Sequence, residues 1–81
     1  MTTSDTKPNV QLYTIYERPK DYPNEYVVRK WYCGAGTVVC DVNIFLRKKT
    51  LAEVRNNLTR LGMVCVGREQ DDDPNIVETW I

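Results

Sequence analysis

Covalent catalysis needs a nucleophile and a base to activate it, and this chain is poorly supplied with both. Its 81 residues contain no histidine, and the single serine, Ser4, sits in a polar leader. An imidazole is the usual base beside a serine or cysteine nucleophile. A carboxylate pair or a lysine of lowered pKa would be the remaining route, and no spacing singles one out. The three cysteines, Cys33, Cys40 and Cys65, form no Cys-x-x-Cys pair. Three thiolates without histidine would hold zinc only with a carboxylate or water as fourth ligand, and each lies in an apolar strand pattern where a thiol packs as a small hydrophobe. A disulfide between Cys33 and Cys40 depends on strand register. The sequence therefore points to no catalytic residue, no metal-ligand set and no cofactor.

Binding chemistry is better represented. Arg47, Lys48 and Lys49 run directly into a helix start, where free N–H groups and the helix dipole add to their charge; such a combination suits phosphate or another anion, and equally a solvated strand end. Asp71, Asp72 and Asp73 lack the alternating oxygen ligands, central glycine and distal glutamate of a calcium loop, and read as a solvated acidic turn or a contact for a basic protein surface. Seven of the eight aromatic residues precede the helix. Interleaved with Arg18, Lys20, Arg29 and Lys30, they offer stacking surfaces for single-stranded nucleic acid, but tyrosine and tryptophan serve strand pairs and protein-binding hot spots as well. Trp31, Val39 and Phe45 are expected to form an apolar patch on a sheet face that no helix covers, which suggests a protein partner or self-association.

The elements that must position these residues follow from periodicity. Residues 10–17 alternate in β-branched and aromatic side chains, as a strand should. The segment 18–24 carries two prolines and must be a loop. Residues 25–33 and 37–46 flank Gly34, Ala35 and Gly36, a hairpin turn. With a three-residue turn, Cys33 faces Thr37, Arg29 faces Asp41 as an ion pair, Trp31 faces Val39, and Tyr26, Val28 and Ile44 share the core side.

Thr50 with Glu53 matches a helix capping box, Leu51, Val54, Leu58 and Leu61 recur at helical spacing, and Gly62 offers a left-handed stop. Residues 63–68 and 76–81 read as two more strands around the acidic turn. The expected fold is a single α+β domain over residues 10–81, in the order β-β-β-α-β-β, preceded by a flexible leader over 1–9. A mostly antiparallel sheet of about five strands with the helix on one face buries the apolar stripe most simply. The first and fifth strands are the expected sheet edges, through which a homodimer could form.

Composition sets the remaining bounds. An apolar content of 42% and a charged content of 27% are those of a folded chain, and the size leaves room for one modest core rather than a deep cleft. Residues 1–60 hold ten Lys/Arg against six Asp/Glu, and residues 61–81 hold one against five; this split is either an internal match or a dipole that steers a partner. No apolar run is long enough to span a membrane and no signal-peptide segment opens the chain, so it reads as cytoplasmic.

Two phrases carry a likeness. Asp21, Tyr22 and Pro23 followed by residues 26–31 (YVVRKW), together with the ending 72–81 (DDPNIVETWI), resemble small bacterial and bacteriophage-encoded proteins without an assigned activity. The resemblance implies a bacterial or phage-infected cytoplasm and brings no site residues with it. The expected function is a non-catalytic protein-binding module, an accessory factor engaging a host protein; the alternative is a single-stranded nucleic-acid-binding module.

Overall fold

A strand whose two faces are both apolar belongs inside a sheet, and the first strand is of that kind. Tyr13 and Ile15 point one way, Leu12, Thr14 and Tyr16 the other, and Tyr13, Thr14 and Ile15 are all buried. The computed structural model of the chain, which describes residues 10–34, 36–68 and 73–81, places this strand, β1 (Val10–Glu17), at the centre of a five-stranded antiparallel sheet. The other elements are β2 (Tyr26–Gly34), β3 (Thr37–Lys48), α1 (Leu51–Arg60), β4 (Cys65–Gly67) and β5 (Ile76–Trp80). Across the sheet the order is β3-β2-β1-β5-β4. The α+β class with one helix on an antiparallel sheet is as the periodicities imply.

The edges are β3 and β4, not β1 and β5. The reason is non-local: β5 inserts between β1 and β4, antiparallel to both. The chain must then pass from one edge to the other between β3 and β4, and α1 makes that crossing over one face. Val54 and Leu58 on its apolar stripe are fully buried against Tyr13, Ile15, Val28 and Trp80, with Tyr26, Leu46, Leu51, Met63 and Val77 packed around them. Burying each such aliphatic side chain is worth about 1.5–3 kcal/mol.

Both ends of α1 are held as the sequence indicates. The Thr50 hydroxyl oxygen accepts the Glu53 N–H at 3.2 Å. The Glu53 carboxylate turns back to accept from the same hydroxyl at 3.1 Å, rather than from the Thr50 backbone. At the other end Gly62, at φ 85°, allows the Gly62 N–H to reach the Thr59 carbonyl at 3.0 Å and the Met63 N–H to reach that of Leu58 at 3.1 Å. This is a Schellman closure, in which a glycine takes the left-handed position at no steric cost.

The β2–β3 hairpin differs from the expected register by one residue. Gly34 faces Thr37, so the turn holds two residues, and Cys33 faces Val38, Tyr32 faces Val39 and Trp31 faces Cys40. Gly36, at φ 74°, supplies the positive dihedral that so short a turn requires. Two irregularities then shift β3 further, around residues 41–43 and at Phe45. The expected Arg29–Asp41 pair does not form: Asp41 accepts from the Tyr32 hydroxyl at 3.3 Å and from the Asn43 N–H at 2.9 Å, while Arg29 reaches Asp21 at 3.4 Å. Ile44 faces Arg29 and is therefore off the core side, whereas Tyr26 and Val28 are on it as expected. Cys33 and Cys40 stand diagonally rather than opposite, and both are free thiols, as is Cys65.

A charged unit ties the helix to β5. Arg55 donates from Nε and Nη2 to the two carboxylate oxygens of Glu78, each at 2.9 Å, and the Trp80 indole N–H adds a third bond at 2.9 Å. The Arg55 hydrogen bonds hold the Glu78 carboxyl below the ordinary glutamate value of 4.5, against the opposing pull of burial and with help from Trp80. A lowered pKa in the folded state means that the unit stabilises the fold above that ordinary value and that this contribution is lost as pH falls through the lowered one. Arg55 is 49% exposed, so solvent screens the pair. Glu78→Gln should therefore cost about 1 kcal/mol at neutral pH, and its melting curve should converge on that of the wild type as the pH drops below 4.5. A difference independent of pH would contradict this assignment.

Deletion of Trp80 and Ile81 removes a core aromatic and the backbone exchange between Ile81 and Val64, at 2.7 and 2.9 Å. Loss of cooperative thermal unfolding is expected; melting unchanged from that of the full chain would show that β5 is not an interior strand.

Candidate functional site

One helix covers one face of the sheet, and the residues on the other face define the site. Val27 lies on that second face, opposite Tyr16 and Arg47, yet is only 1% exposed. The 18–25 loop folds over this end: Asp21 bonds Arg29 at 3.4 Å, Glu25 bonds Arg47 at 3.3 Å, and the Arg47 guanidinium sits 4.5 Å from the centre of the Tyr22 ring. Beyond the loop no other described element covers the face. There a groove of about 380 Å³ crosses the sheet from Val38 on β3, past Trp31 on β2 and Leu12, Thr14 and Tyr16 on β1, to Thr79 and Ile76 on β5 and Val66 and Gly67 on β4.

All five strands contribute to this groove, and among the described residues no charged residue or cysteine lines it. Its walls are the aromatic rings of Trp31 and Tyr16 with aliphatic side chains, and its polar groups are hydroxyls of threonine and tyrosine. Such a lining has no carboxylate, amine, imidazole or thiol to move a proton near neutral pH. It can take apolar surface and orient it with a few hydrogen bonds, which is the ordinary make-up of a recognition groove.

The residues singled out from sequence fall in different places. Trp31 is in the groove. Val39 faces Tyr32 on the opposite, helix-side face, and Phe45 lies on that side too, its ring centre 4.8 Å from that of Tyr13. The expected patch of Trp31, Val39 and Phe45 is therefore split between two faces. The two-residue turn moves Val39 from Trp31 to Tyr32, and the irregularity at Phe45 turns its ring over the sheet.

Arg47 and Lys48 do not converge either, and Lys49 is exposed in the bend that follows β3. Arg47 is on the open face with Glu25 and Tyr22, while Lys48 faces Tyr26 on the helix side. At the helix start, the Glu53 carboxylate is turned back onto the Thr50 hydroxyl, whose oxygen accepts the Glu53 N–H. Asp71 and Asp72 lie outside the described residues. Asp73 closes a local turn, accepting the Asn75 N–H on its carboxylate and the Ile76 N–H on its carbonyl, each at 2.9 Å.

Several basic and aromatic residues of the first part engage each other. Lys30 Nζ stands 5.6 Å from the Tyr13 ring centre and 5.1 Å from that of Tyr32, a cation–π arrangement. Desolvation works to lower the pKa of this ammonium, but the two tyrosine hydroxyls outweigh it and hold it above its ordinary value.

Of the groove residues, the sequence reading singles out Trp31 as a protein-binding candidate and Tyr16 only among the aromatics at large, and passes over Leu12, Thr14, Val38, Val66, Gly67, Ile76 and Thr79. The alternation of β1 separates Leu12, Thr14 and Tyr16 as one set, and that was the available signal. What joins this set to β5 and β4 is the strand order. Ile76 and Thr79 share the groove because the β1–β5 pairing skips Val77, so that Ile76 faces Tyr16 while Thr79 faces Thr14.

In comparisons with known proteins, no family model, no curated protein and no solved structure matched the chain. Among the described residues no helix is long and apolar enough to cross a membrane.

The open groove has a spectroscopic consequence, because the two tryptophans sit on opposite faces. In a Trp80→Phe variant the remaining Trp31 emission should be readily quenched by acrylamide. In Trp31→Phe the buried Trp80, at 7% exposure, should be shielded. Equal quenching of the two variants would mean that the groove is covered in solution.

Proposed function

We propose that this chain is a non-catalytic protein-binding module of a bacterial or phage-infected cytoplasm, an accessory factor that engages a host protein through the open sheet face. The groove carries this reading. It presents a tryptophan and a tyrosine in an apolar setting, where an anchoring side chain of a partner would be desolvated. Aromatic residues in such settings supply a disproportionate share of binding energy. The lack of histidine and the single serine favour recognition over chemistry, and the likeness of the 21–31 and 72–81 phrases to small phage and bacterial proteins supports the cellular setting.

A single-stranded nucleic-acid module is the second reading. The Lys30 ammonium between the Tyr13 and Tyr32 rings favours it, since bases stack on such rings and phosphates seek such cations. Against it, Arg29 and Arg47 are engaged by Asp21 and Glu25, and Phe45 packs beside Tyr13.

Affinity capture from bacterial lysate by the tagged chain, with and without nuclease, tests both readings. The expected outcome is one stoichiometric, nuclease-resistant protein that is retained by the wild type and reduced at least about tenfold by Trp31→Ala, with the variant's circular dichroism unchanged. Retention unaffected by Trp31→Ala, or no retained protein, contradicts the groove reading. Loss on nuclease treatment moves nucleic acid to first place.

A further inference from the structure

The floor of the groove holds polar groups that the fold leaves unused. Thr14 on β1 and Thr79 on β5 face each other directly and both line the groove, which sets their Cα atoms about 4.5–5.5 Å apart. Among the described residues Thr14 is the only polar one in the buried set, at 6% exposure. Neither threonine hydroxyl has a hydrogen-bond partner among those residues, and the two do not bond each other. No sealed side-chain nitrogen or oxygen among them lacks a partner, so the Thr14 hydroxyl is not sealed, and the groove is its outlet.

The surroundings keep this pair accessible. Gly67 faces Thr79 from β4 and brings no side chain to cover it. Trp31 stands diagonally from Thr14, because it faces Leu12 while Thr14 faces Arg29. Its indole N–H is also without a partner among the described residues. The groove therefore offers one aromatic surface, one donor and two hydroxyls that each donate and accept.

These groups select among occupants. A purely apolar anchor would cut the hydroxyls off from water and give them nothing to bond, which costs more than leaving them wet. A carboxylate or ammonium would be desolvated without a counter-ion, since Arg29 is bonded to Asp21 and does not line the groove. A single hydroxyl oxygen would have to reach all three polar groups from one point. A carboxamide spreads an acceptor and a donor over two atoms in one plane, and its apolar stem can lie along the Trp31 ring.

We propose that the anchor a partner protein places in this groove is a carboxamide side chain, asparagine or glutamine, held across the Thr14 and Thr79 hydroxyls beside Trp31. This deepens the protein-binding reading of the groove and rests on it.

The test titrates the full chain, by NMR chemical shifts, with end-blocked tripeptides that carry glutamine, asparagine, glutamate, tyrosine or methionine between two leucines. A carboxamide peptide should bind at least about fivefold more tightly than the other three and shift the Thr14 and Thr79 amides and the Trp31 indole N–H. Thr14→Val should erase that preference without lowering the melting temperature, because the hydroxyl holds nothing within the chain. Should Thr14→Val not fold, Thr79→Val decides in the same way. Equal or tighter binding of the methionine, tyrosine or glutamate peptide at the same resonances leaves the groove in use and overturns the carboxamide, as does a preference that survives Thr14→Val. If no peptide moves these resonances the proposal is refuted, while the protein-binding reading is decided separately by capture and Trp31→Ala.

Discussion

The insertion of β5 between β1 and β4 is the constraint from which the rest of this structure follows. It places Trp80 beside Tyr13 in the core and Glu78 within reach of Arg55, so that the end of the chain fastens the helix to the sheet. It brings Ile81 against Val64, with which it exchanges both backbone bonds. It also makes β1 central, and a central strand in a sheet with a single helix must leave its second row of side chains, Leu12, Thr14 and Tyr16, to be covered by something else.

That second row is where structure passes into function. Among the described residues there is one helix, which crosses from the β3 edge to the β4 edge because those strands lie at opposite sides of the sheet. The 18–25 loop shields the other face only around Val27, held by ion pairs to Arg29 and Arg47 and by Tyr22 beneath the Arg47 guanidinium. The remaining area keeps Trp31 and Tyr16 in an apolar groove that reaches the β4 edge. The proposed recognition role is a consequence of this shortage of covering elements.

Local structure was legible in the sequence, and its long-range assembly was not. The period-2 alternation of β1, the Thr50 and Glu53 cap and the Gly62 stop each depend on a few neighbouring residues, and each is present at its expected place. The face assignments on β3 failed because a side chain changes face with every one-residue shift. One residue fewer in the turn moved Val39, and the irregularity at Phe45 moved that ring. Strand order failed for a different reason. Nothing near Ile76 states that its partner is Tyr16, about sixty positions earlier, since non-local pairing is decided by the whole set of faces that must be buried together. Trp31 was identified for its chemistry, while its groove neighbours depend on that order.

The central claim, that β5 is an interior strand and the keystone of both faces, is most directly tested by native-state amide hydrogen exchange. If the account holds, the β5 amides that bond to β1 exchange only with global unfolding and share the protection of Ile15 and Val28. If they exchange at the rate of a fraying terminus while β1 and β2 stay protected, the sheet does not depend on β5, and the groove and the β4 edge derived from its position fall with it.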